Sequence, residues 1–320
     1  MGALSSSFAD RVRAHLAVTC DFFHVDEEGA RGALSDVDVL VTIAFTREMA
    51  EGAPRLRLIQ VPGAGLDRID RSAISPGVAL ANAHGHDAGI AEYVIGAMVA
   101  LSRDFGRVHS SLQAGRWDSQ WAWRAPPPPV WPELAGRTLG ILGYGGIGQA
   151  VARRARAFDM PVCAIRRDAG RSAGDDLAFL GGPERLPAVL RRADYLAITL
   201  PLTPQTRGLI GAAELGLMKP TAILVNVARA QIVDEDALYA ALAEKRLAGA
   251  ALDVWYRYPS EPGPTFPSRR PFHELPNVLM TPHVSGWTDG MMESRAALIA
   301  GNIRRVARGE PPESMVLVVP

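Results

Sequence analysis

Short apolar runs alternate with helical patterns along most of the sequence. In the first third of the chain the runs are HLAVTC, VDVLVTI, LRLIQVPG and VALANA, and turn residues bound each of them. A long pattern with helical spacing follows, AGIAEYVIGAMVALSRDFGRVHSSLQAG. Because strands that alternate with helices form parallel sheets with helices on both faces, this pattern predicts an α/β fold.

The alternation restarts after a connector rich in tryptophan and proline. Its apolar runs are RTLGILGYG, PVCAIRR, ADYLAITLP, TAILVNVARA, GAALDVW and NVLMTPH, and an amphipathic helix, GMMESRAALIAGNIRRVARG, closes the pattern. Two such blocks predict two doubly wound parallel-sheet domains with a cleft between them. We assign residues 1–98 and 284–320 to the first domain and residues 99–283 to the second. Ligands of these sheets bind beyond the carboxyl ends of the strands.

The connector, RWDSQWAWRAPPPPVWPEL, contains the segment from Trp117 to Trp131. Its four consecutive prolines hold the backbone extended, so we expect a stiff arm. The tryptophans of this arm either cap a pocket or pack on the same or a neighbouring subunit, which is their commoner use. The sequence leaves the role of the arm open.

Composition narrows the class of protein. The 320 residues carry 34 basic and 34 acidic side chains, and this balance argues against electrostatic attraction to nucleic acid or to an anionic membrane. Cys20 and Cys163 form no disulfide framework or metal-binding spacing, so a reducing cytoplasm is the expected compartment. No apolar run reaches membrane-spanning length and the N-terminus lacks a long apolar core. We therefore expect a soluble cytoplasmic protein without a metal site.

A glycine-rich turn supplies the first specific chemistry. Gly143, Gly145 and Gly148 stand in GxGxxG spacing, after the apolar strand TLGIL and at the start of the helix IGQAVARRARAF. The first glycine permits a tight turn, the second lets the backbone approach a pyrophosphate, and the third allows close packing of helix on strand. With Gly146 and Ile147, this turn predicts a dinucleotide site at the N-terminus of a helix.

Two arginines stand where a carboxylate usually selects NAD. Arg166 lies 18 residues beyond Gly148, at the end of the second strand, and Arg167 follows it. A carboxylate there would bind both ribose hydroxyls, whereas a guanidinium suits the 2′-phosphate of NADP. We therefore predict NADP(H), with NAD as the alternative if the strand runs two residues longer and Asp168 takes the ribose. If Arg166 and Arg167 do not contact the cofactor, they are ordinary surface charges.

Several motifs together resemble the D-isomer-specific 2-hydroxyacid dehydrogenase family. They are the glycine turn, VPGAGLDRID, LVNVARAQIVDEDAL, GAALDVWYRYP and LMTPHVSGWT, and the resemblance covers nearly the whole chain from about Val37. It implies a flavodoxin-like substrate domain beside a Rossmann cofactor domain. It also implies NAD(P)-dependent interconversion of a 2-keto acid and a D-2-hydroxy acid, usually by a homodimer.

The resemblance assigns roles to individual residues. Arg229 matches the arginine that binds the substrate carboxylate and polarises the keto oxygen, and His283 matches the histidine that exchanges a proton with that oxygen. Asp253 matches the aspartate at the nicotinamide carboxamide. Other matches line the cofactor: Ala228, Ser285 and Gly286, with Leu200, Pro201 and Thr203 on the adenosine side. The family's ARG is ARA here, because Ala230 replaces a glycine.

The family glutamate that orients the histidine is missing. Position 258, five residues after Asp253, is Tyr258, and DVWYRYP resembles the formate dehydrogenase branch, where a neutral glutamine takes this place. We favour Tyr258 as the partner of the histidine. Alternatively, Glu261 followed by Pro262 is the displaced family EP, and a short insertion brings the carboxylate back.

The first domain is expected to bind the substrate. The backbone N–H groups of Ala64 and Gly65 match a second clamp on the substrate carboxylate. His86 falls where the formate branch has its substrate asparagine, which weakens a formate interpretation. His86 either contacts the substrate or is a plain loop histidine.

The leading hypothesis is an NADPH-dependent reductase of small 2-keto acids, similar to glyoxylate or hydroxypyruvate reductases. A non-catalytic dinucleotide sensor on the same scaffold is the alternative from another class, and the missing glutamate favours it. Retention of both Arg229 and His283 opposes it, because a sensor needs neither group. Formate or phosphite oxidation is a third interpretation. Neither the particular keto acid nor the physiological direction follows from the sequence.

Overall fold

The computed structural model describes residues 6–25, 29–121, 123, 130–168 and 177–318. Within these ranges the strands are β1 (Val39–Val41), β2 (Leu58–Gln60), β3 (Ala79–Ala81), β4 (Leu139–Leu142), β5 (Val162–Ile165), β6 (Phe179–Gly181), β7 (Tyr195–Ile198), β8 (Ile223–Asn226), β9 (Gly249–Leu252), β10 (Val278–Met280) and β11 (Met315–Val318). The α-helices are α1 (Ser6–His15), α2 (Ala30–Ala33), α3 (Arg47–Glu51), α4 (Asp87–Ser102), α5 (Phe105–Gln113), α6 (Gly146–Ala157), α7 (Leu186–Arg192), α8 (Ala212–Leu217), α9 (Glu235–Ala243) and α10 (Asp289–Ala307).

The described chain divides into two compact units. One comprises the chain up to His86 and again from Trp287 onwards, and the other is Asp87–Gly286. The division lies before α4, whereas the sequence suggested a boundary at residue 98. The reason is that Ile90, Val94 and Met98 of α4 are buried in the core of the second unit, so this helix packs with that unit over its whole length.

The first unit is built on a four-stranded sheet with the order β1-β2-β3-β11. The first three strands are parallel, as the alternating pattern predicts, and Phe45, Ile59 and Leu80 lie in its apolar core. The last strand, β11, pairs with β3 in the antiparallel direction, an arrangement that edge strands of parallel sheets often take. The α/β class is confirmed, with this strand as a local exception.

The second unit contains a seven-stranded sheet in which all neighbours are parallel, in the order β10-β9-β8-β7-β4-β5-β6. Every residue of β4, β5, β7, β8 and β9 is buried, because helices cover both faces. The chain runs outward from β4 to β6, then returns to start again at β7. The strand order therefore reverses between β4 and β7, and ligands of open α/β sheets bind at such a point.

Three local predictions differ from the structure. The run HLAVTC forms no strand, because α1 ends at His15 and residues 16–20 are irregular. The predicted long helix is two helices: Asp104 adopts a left-handed backbone with φ +53°, which ends α4 and starts α5. The four prolines of the arm lie outside the described residues, and of its neighbours Trp121 is 80% exposed. No described helix has the length and apolar character needed to span a membrane.

The turn between β4 and α6 is closely packed. Gly143 has φ +104°, and a Cβ there would lie 2.6 Å from the backbone nitrogen of Leu200. A Cβ at Gly148 would collide with the carbonyl oxygen of Gly143. Glycine is required at both positions because backbone atoms, unlike flexible side chains, cannot move aside.

Replacing Gly148 by alanine should lower the free energy of unfolding of the second unit by about 1–3 kcal/mol, because the added methyl group overpacks the turn. Gly216→Ala is the matched control, since Gly216 lies inside α8 and nothing is within 4 Å of its Cβ position. That control should be neutral or slightly stabilising. Denaturant unfolding of both variants and of the wild type measures the free energies of unfolding that are compared. Equal stability of the two variants would contradict the close packing of α6 on β4.

Candidate active site

The predicted site residues of the second unit all follow the carboxyl ends of parallel strands. They are Gly143 to Gly148 after β4, Arg166 and Arg167 after β5, Leu200, Pro201 and Thr203 after β7, Ala228 and Arg229 after β8, Asp253 after β9, and His283, Ser285 and Gly286 after β10. In a parallel sheet these ends meet at one edge. The fold thus gathers residues that are up to 143 positions apart (286 − 143) along a single edge.

The glycine turn fits a dinucleotide. The backbone N–H groups of Gly143 and Tyr144 both donate to the carbonyl of Ile165, each at 3.0 Å, and the Thr199 hydroxyl donates to the carbonyl of Gly143 at 2.7 Å. These bonds hold the turn rigid. At Gly145, which precedes the first turn of α6, nothing lies within 4 Å of the Cβ position. A pyrophosphate can therefore approach the backbone and the N-terminal N–H groups of α6.

The end of β5 presents a guanidinium. The strand ends at Ile165, and the backbone N–H of Arg166 donates to the carbonyl of Gly181 at 3.0 Å. The Arg166 side chain is half-buried, while Arg167 and Asp168 are exposed. No ion pair within the described ranges includes Arg166 or Arg167. Asp168 lies three residues past the strand (168 − 165), because β5 does not extend as far as the NAD alternative requires.

An amide side chain shapes the turn that carries Arg229. Asn226, buried at the end of β8, donates from Nδ2 to the carbonyl of Arg229 at 3.0 Å and accepts from the N–H of Ala228 at 3.0 Å. The Arg229 guanidinium is half-buried and donates to the carbonyl of Ala228 at 2.7 Å. The motif LVNVARA contains Asn226, but the sequence did not identify its positioning role.

The carboxylate of Asp253 holds the turn that carries His283. Asp253 is fully buried, and its oxygens accept from the Thr281 hydroxyl at 2.6 Å and from the N–H groups of Val284 and Ser285 at 2.9 Å each. Since Thr281 donates to Asp253, the Tyr93 hydroxyl, 2.7 Å away, is the donor to Thr281. Burial raises the pKa of Tyr93 to about 12, so it keeps its proton. The sequence did not identify this chain of donors.

His283 itself has a left-handed backbone with φ +60°. Such a conformation is uncommon for residues other than glycine, although histidine adopts it more often than most. It is maintained from both sides, because Asp253 binds the two N–H groups that follow His283 and the N–H of His283 donates to the carbonyl of Thr281 at 3.1 Å. The backbone geometry therefore fixes the direction in which the imidazole leaves the chain.

The imidazole contacts Tyr258. The phenol oxygen lies 2.8 Å from Nδ1 of His283 and accepts from the N–H of Trp255 at 3.3 Å. Tyr258 can give its own proton to Nδ1 or accept a proton from Nδ1–H, depending on the tautomer of the imidazole, and in either case Nε2 is the ring nitrogen that Tyr258 leaves free. Glu261 is exposed and takes part in none of the hydrogen bonds among the described residues.

A buried carboxylate anchors the segment that carries Tyr258. Glu235, at the start of α9, accepts from the Ser268 hydroxyl at 2.6 Å and from the backbone N–H and Nε of Arg269 at 2.7 and 2.9 Å. Burial opposes ionisation of Glu235, but these bonds outweigh it and lower its pKa. The N–H of Arg257 donates to the carbonyl of Pro267 at 2.9 Å, which closes the segment on itself.

The charges around His283 favour its neutral form. His283 keeps part of its surface in solvent, but partial loss of solvent lowers its pKa, the positive charge of Arg229 lowers it further, and Asp253 acts in the opposite direction. Tyr258 is 48% exposed, and partial loss of solvent raises its pKa, so the phenol is neutral near pH 7. The imidazole therefore has a hydrogen-bonding partner without a negative charge.

The predicted substrate residues of the first unit lie beyond its own strand ends. Ala64 and Gly65 follow β2, and the amide of Asn82 donates to the carbonyl of Ala64 at 3.1 Å. His86 follows β3, is 6% exposed, and has Nδ1 3.2 Å from a guanidinium nitrogen of Arg295 on α10. The sequence did not single out Arg295.

Known proteins similar to this chain are dehydrogenases and reductases. Residues 95–285 match the family model for the D-isomer specific 2-hydroxyacid dehydrogenase, NAD binding domain. The chain is 34% identical to a glyoxylate reductase from Thermococcus gammatolerans, over 98% of this chain and 93% of that protein. It is 36% identical to a D-3-phosphoglycerate dehydrogenase from Methanocaldococcus jannaschii, over 88% of this chain and 52% of that longer protein. The solved structure of a 2-hydroxyacid dehydrogenase from Ketogulonicigenium vulgare Y25 covers 100% of this chain and 97% of its own, with a TM-score of 0.81 and 28% identity.

The His283 imidazole should titrate below the ordinary histidine range, and Arg229→Gln should raise its pKa, because that variant removes the nearby positive charge. Glu261→Gln is the control and should leave the His283 titration unchanged. NMR titration of the imidazole C–H signals, assigned by their loss in His283→Ala, gives the pKa. If Glu261→Gln lowers the pKa, Glu261 and not Tyr258 is the partner that matters.

Proposed function

Because the chain belongs to the D-isomer-specific 2-hydroxyacid dehydrogenase family, a family of oxidoreductases with an NAD-binding domain, we propose that it reduces a small 2-keto acid to the D-2-hydroxy acid with NADPH. The observation that carries the proposal is the grouping of Arg229, His283 and Tyr258. An acid–base group paired at 2.8 Å with a hydroxyl, beside a half-buried guanidinium, is what a reaction between a keto acid and its alcohol requires.

Each residue has a defined role in the proposed reduction. Arg229 binds the substrate carboxylate with its planar guanidinium and polarises the keto oxygen. His283 gives a proton from Nε2 to that oxygen, because Nδ1 faces Tyr258. When bound, the nicotinamide supplies the hydride for the keto carbon. In the reverse direction the neutral imidazole holds its proton on Nδ1, donated to Tyr258, and accepts the hydroxyl proton of the substrate at Nε2.

Tyr258 keeps the imidazole oriented without adding charge. Its neutral phenol can accept from Nδ1–H of the cation and also of the neutral imidazole that remains after Nε2 has given up its proton, so it serves both protonation states. It does not stabilise the cation as a carboxylate would. Reduction needs the cation, so kcat/KM should fall as the pH rises through the lowered pKa of His283.

We also propose that the backbone N–H groups of Ala64 and Gly65 and the side chain of His86, which belong to the first unit, contact the substrate. We further propose that the protein is a homodimer, in which the exposed tryptophans of the arm, such as Trp121 and Trp123, are partly covered. Cys20 and Cys163 are free thiols, which supports a reducing, cytoplasmic compartment.

The cofactor preference follows from the end of β5. Arg166 is half-buried there and pairs with no acid among the described residues, so its charge is available for a 2′-phosphate. A charge-assisted hydrogen bond contributes roughly 1.5–3 kcal/mol, and exposure of Arg167 reduces its share. About 1.4 kcal/mol already corresponds to a tenfold preference.

Substitution of the proton donor should lower turnover far more than cofactor affinity. We expect His283→Ala to reduce kcat for glyoxylate or hydroxypyruvate by about 100-fold or more, the range of general acid catalysis, with a nearly unchanged Kd for NADPH. Arg229→Ala should lose keto acid binding and turnover together. NADPH absorbance measures turnover, and fluorescence titration measures cofactor binding. If wild-type protein binds NADPH but reduces no keto acid, it is a dinucleotide sensor instead.

The protein should prefer NADPH to NADH by at least about tenfold in kcat/KM, measured with one keto acid. Arg166→Asp should erase or invert that ratio, because it removes the cation and introduces an acid that binds the ribose hydroxyls. Arg167→Ala should only weaken the preference. Equal wild-type values, or a preference that Arg166→Asp leaves intact, would show that the two arginines are surface charges.

A further inference from the structure

The first unit contains a cavity of about 900 Å³, within the size range of small-molecule sites. Part of its lining comes from an irregular segment, residues 18–25, and from β1, the edge strand of the four-stranded sheet. Apolar side chains of α1, β1 and α10, such as Phe8, Val41 and Ile303, supply much of the rest. None of the described residues in this lining takes part in the proposed reduction.

The opening of the cavity is apolar as well. Phe23, Ile43 and Trp287 line the cavity and are exposed, so they stand where it meets the surface. Large apolar side chains exposed around a cavity are typical of ligand sites. A ligand with a hydrocarbon part would cover these side chains and remove their apolar surface from water, which is favourable.

Arg295 of α10 gives this apolar cavity a positive charge. Arg295 is half-buried, whereas the other acidic and basic residues of the described lining are exposed. Two of those acids, Asp36 and Asp38, contact Arg55. No ion pair within the described ranges includes Arg295. The cavity therefore contains one shielded cation that the described chain does not neutralise.

The hydrogen bonds of Arg295 leave the charge uncompensated. One guanidinium nitrogen lies 3.2 Å from Nδ1 of His86, and because the guanidinium has only donors, His86 accepts there and supplies no negative charge. The Nε atom is buried without an acceptor among the described residues, and burial lowers the pKa of the guanidinium. A partly buried cation without a counter-charge is unfavourable, so an anion in the cavity would stabilise it.

We propose that this cavity binds a small amphipathic carboxylate, with its hydrocarbon part on the apolar lining and its carboxylate at Arg295. A guanidinium and a carboxylate form charge-assisted hydrogen bonds, which are stronger than neutral ones. The ligand carries a single negative group, because the acids of the lining would repel a second one. It does not react, since the described lining contains no proposed catalytic residue. The proposal goes beyond the proposed function and does not depend on it.

Three probe compounds test both parts of the ligand by calorimetric titration of the full chain. Octanoate has both parts, octan-1-ol has the same chain without the charge, and butanoate has the same carboxylate on a short chain. The Kd of octanoate should be lower than that of either other compound by at least about tenfold, because only octanoate meets both the lining and Arg295. Equal Kd values for octanoate and octan-1-ol, or no octanoate binding at millimolar concentration, would overturn the proposal.

Arg295→Met removes the charge but keeps an unbranched side chain. It should weaken octanoate binding about tenfold and leave octan-1-ol binding unchanged, and Arg295→Lys should restore part of the loss. Arg57→Met is the matched control, because Arg57 is an exposed arginine of the same lining, and it should bind octanoate as the wild type does. The thermal midpoint of each variant without ligand checks that it is folded. If Arg295→Met keeps the wild-type affinity, or Arg57→Met loses as much, Arg295 is not the anion contact.

Trp287 reports whether octanoate occupies this cavity. Its fluorescence should shift to shorter wavelength when the hydrocarbon chain covers the exposed indole, and Trp287→Phe should lose the shift but still bind octanoate. A shift that persists in Trp287→Phe would place the ligand elsewhere and contradict the proposal.

Arg229→Ala separates this cavity from the proposed keto acid site, and the variant should bind octanoate with wild-type affinity. Loss of octanoate binding in Arg229→Ala would show that octanoate occupies the keto acid site, which overturns the proposal and leaves the reductase function intact. If instead the wild type reduces no keto acid but binds octanoate through Arg295, the cavity site stands and the reductase function fails.

Discussion

The geometry of the candidate site depends on the hydrogen bonds that the buried carboxylate of Asp253 accepts. This carboxylate sits at the end of β9 and receives three hydrogen bonds from the turn after β10, two of them from the backbone on the far side of His283. A buried carboxylate is unfavourable unless hydrogen bonds satisfy it, so the turn and the carboxylate require each other. The left-handed backbone of His283 is maintained by this requirement.

The pairing of His283 with a phenol sets the chemistry apart from a histidine–carboxylate pair. A carboxylate partner would raise the pKa of the imidazole, whereas here desolvation and the charge of Arg229 lower it, and Tyr258 adds no compensating charge. The proposed proton donor is therefore a stronger acid but is less populated near neutral pH. The Glu235 anchor gives this arrangement its rigidity, since it fastens the segment that presents the phenol.

Three arginines of the protein combine a positive charge with partial burial. Arg166 stands at the end of β5, Arg229 after β8 and Arg295 on α10, and all three are half-buried. Neither Arg166 nor Arg295 forms an ion pair with an acid of the described chain. The net charge of zero over the whole sequence conceals this pattern, because recognition depends on where charges lie and not on their sum.

The sequence alone determined the features that depend on local pattern. Apolar runs predicted β1 to β5 and β7 to β10, the glycine spacing predicted the turn at Gly143, and the α/β class followed from the alternation of strands and helices. These succeed because period, turn chemistry and glycine conformation are encoded within a few consecutive residues. The antiparallel direction of β11, the break at Asp104 and the absence of a strand at HLAVTC were decided by tertiary packing, which overrides local preference. Tertiary packing also decided the geometry of the candidate site. Whether Tyr258 or Glu261 meets His283 and how Asp253 holds the turn both depend on which loops meet beyond a sheet edge. Contacts between residues so far apart in the chain leave no periodic signal, so only the folded structure reveals them.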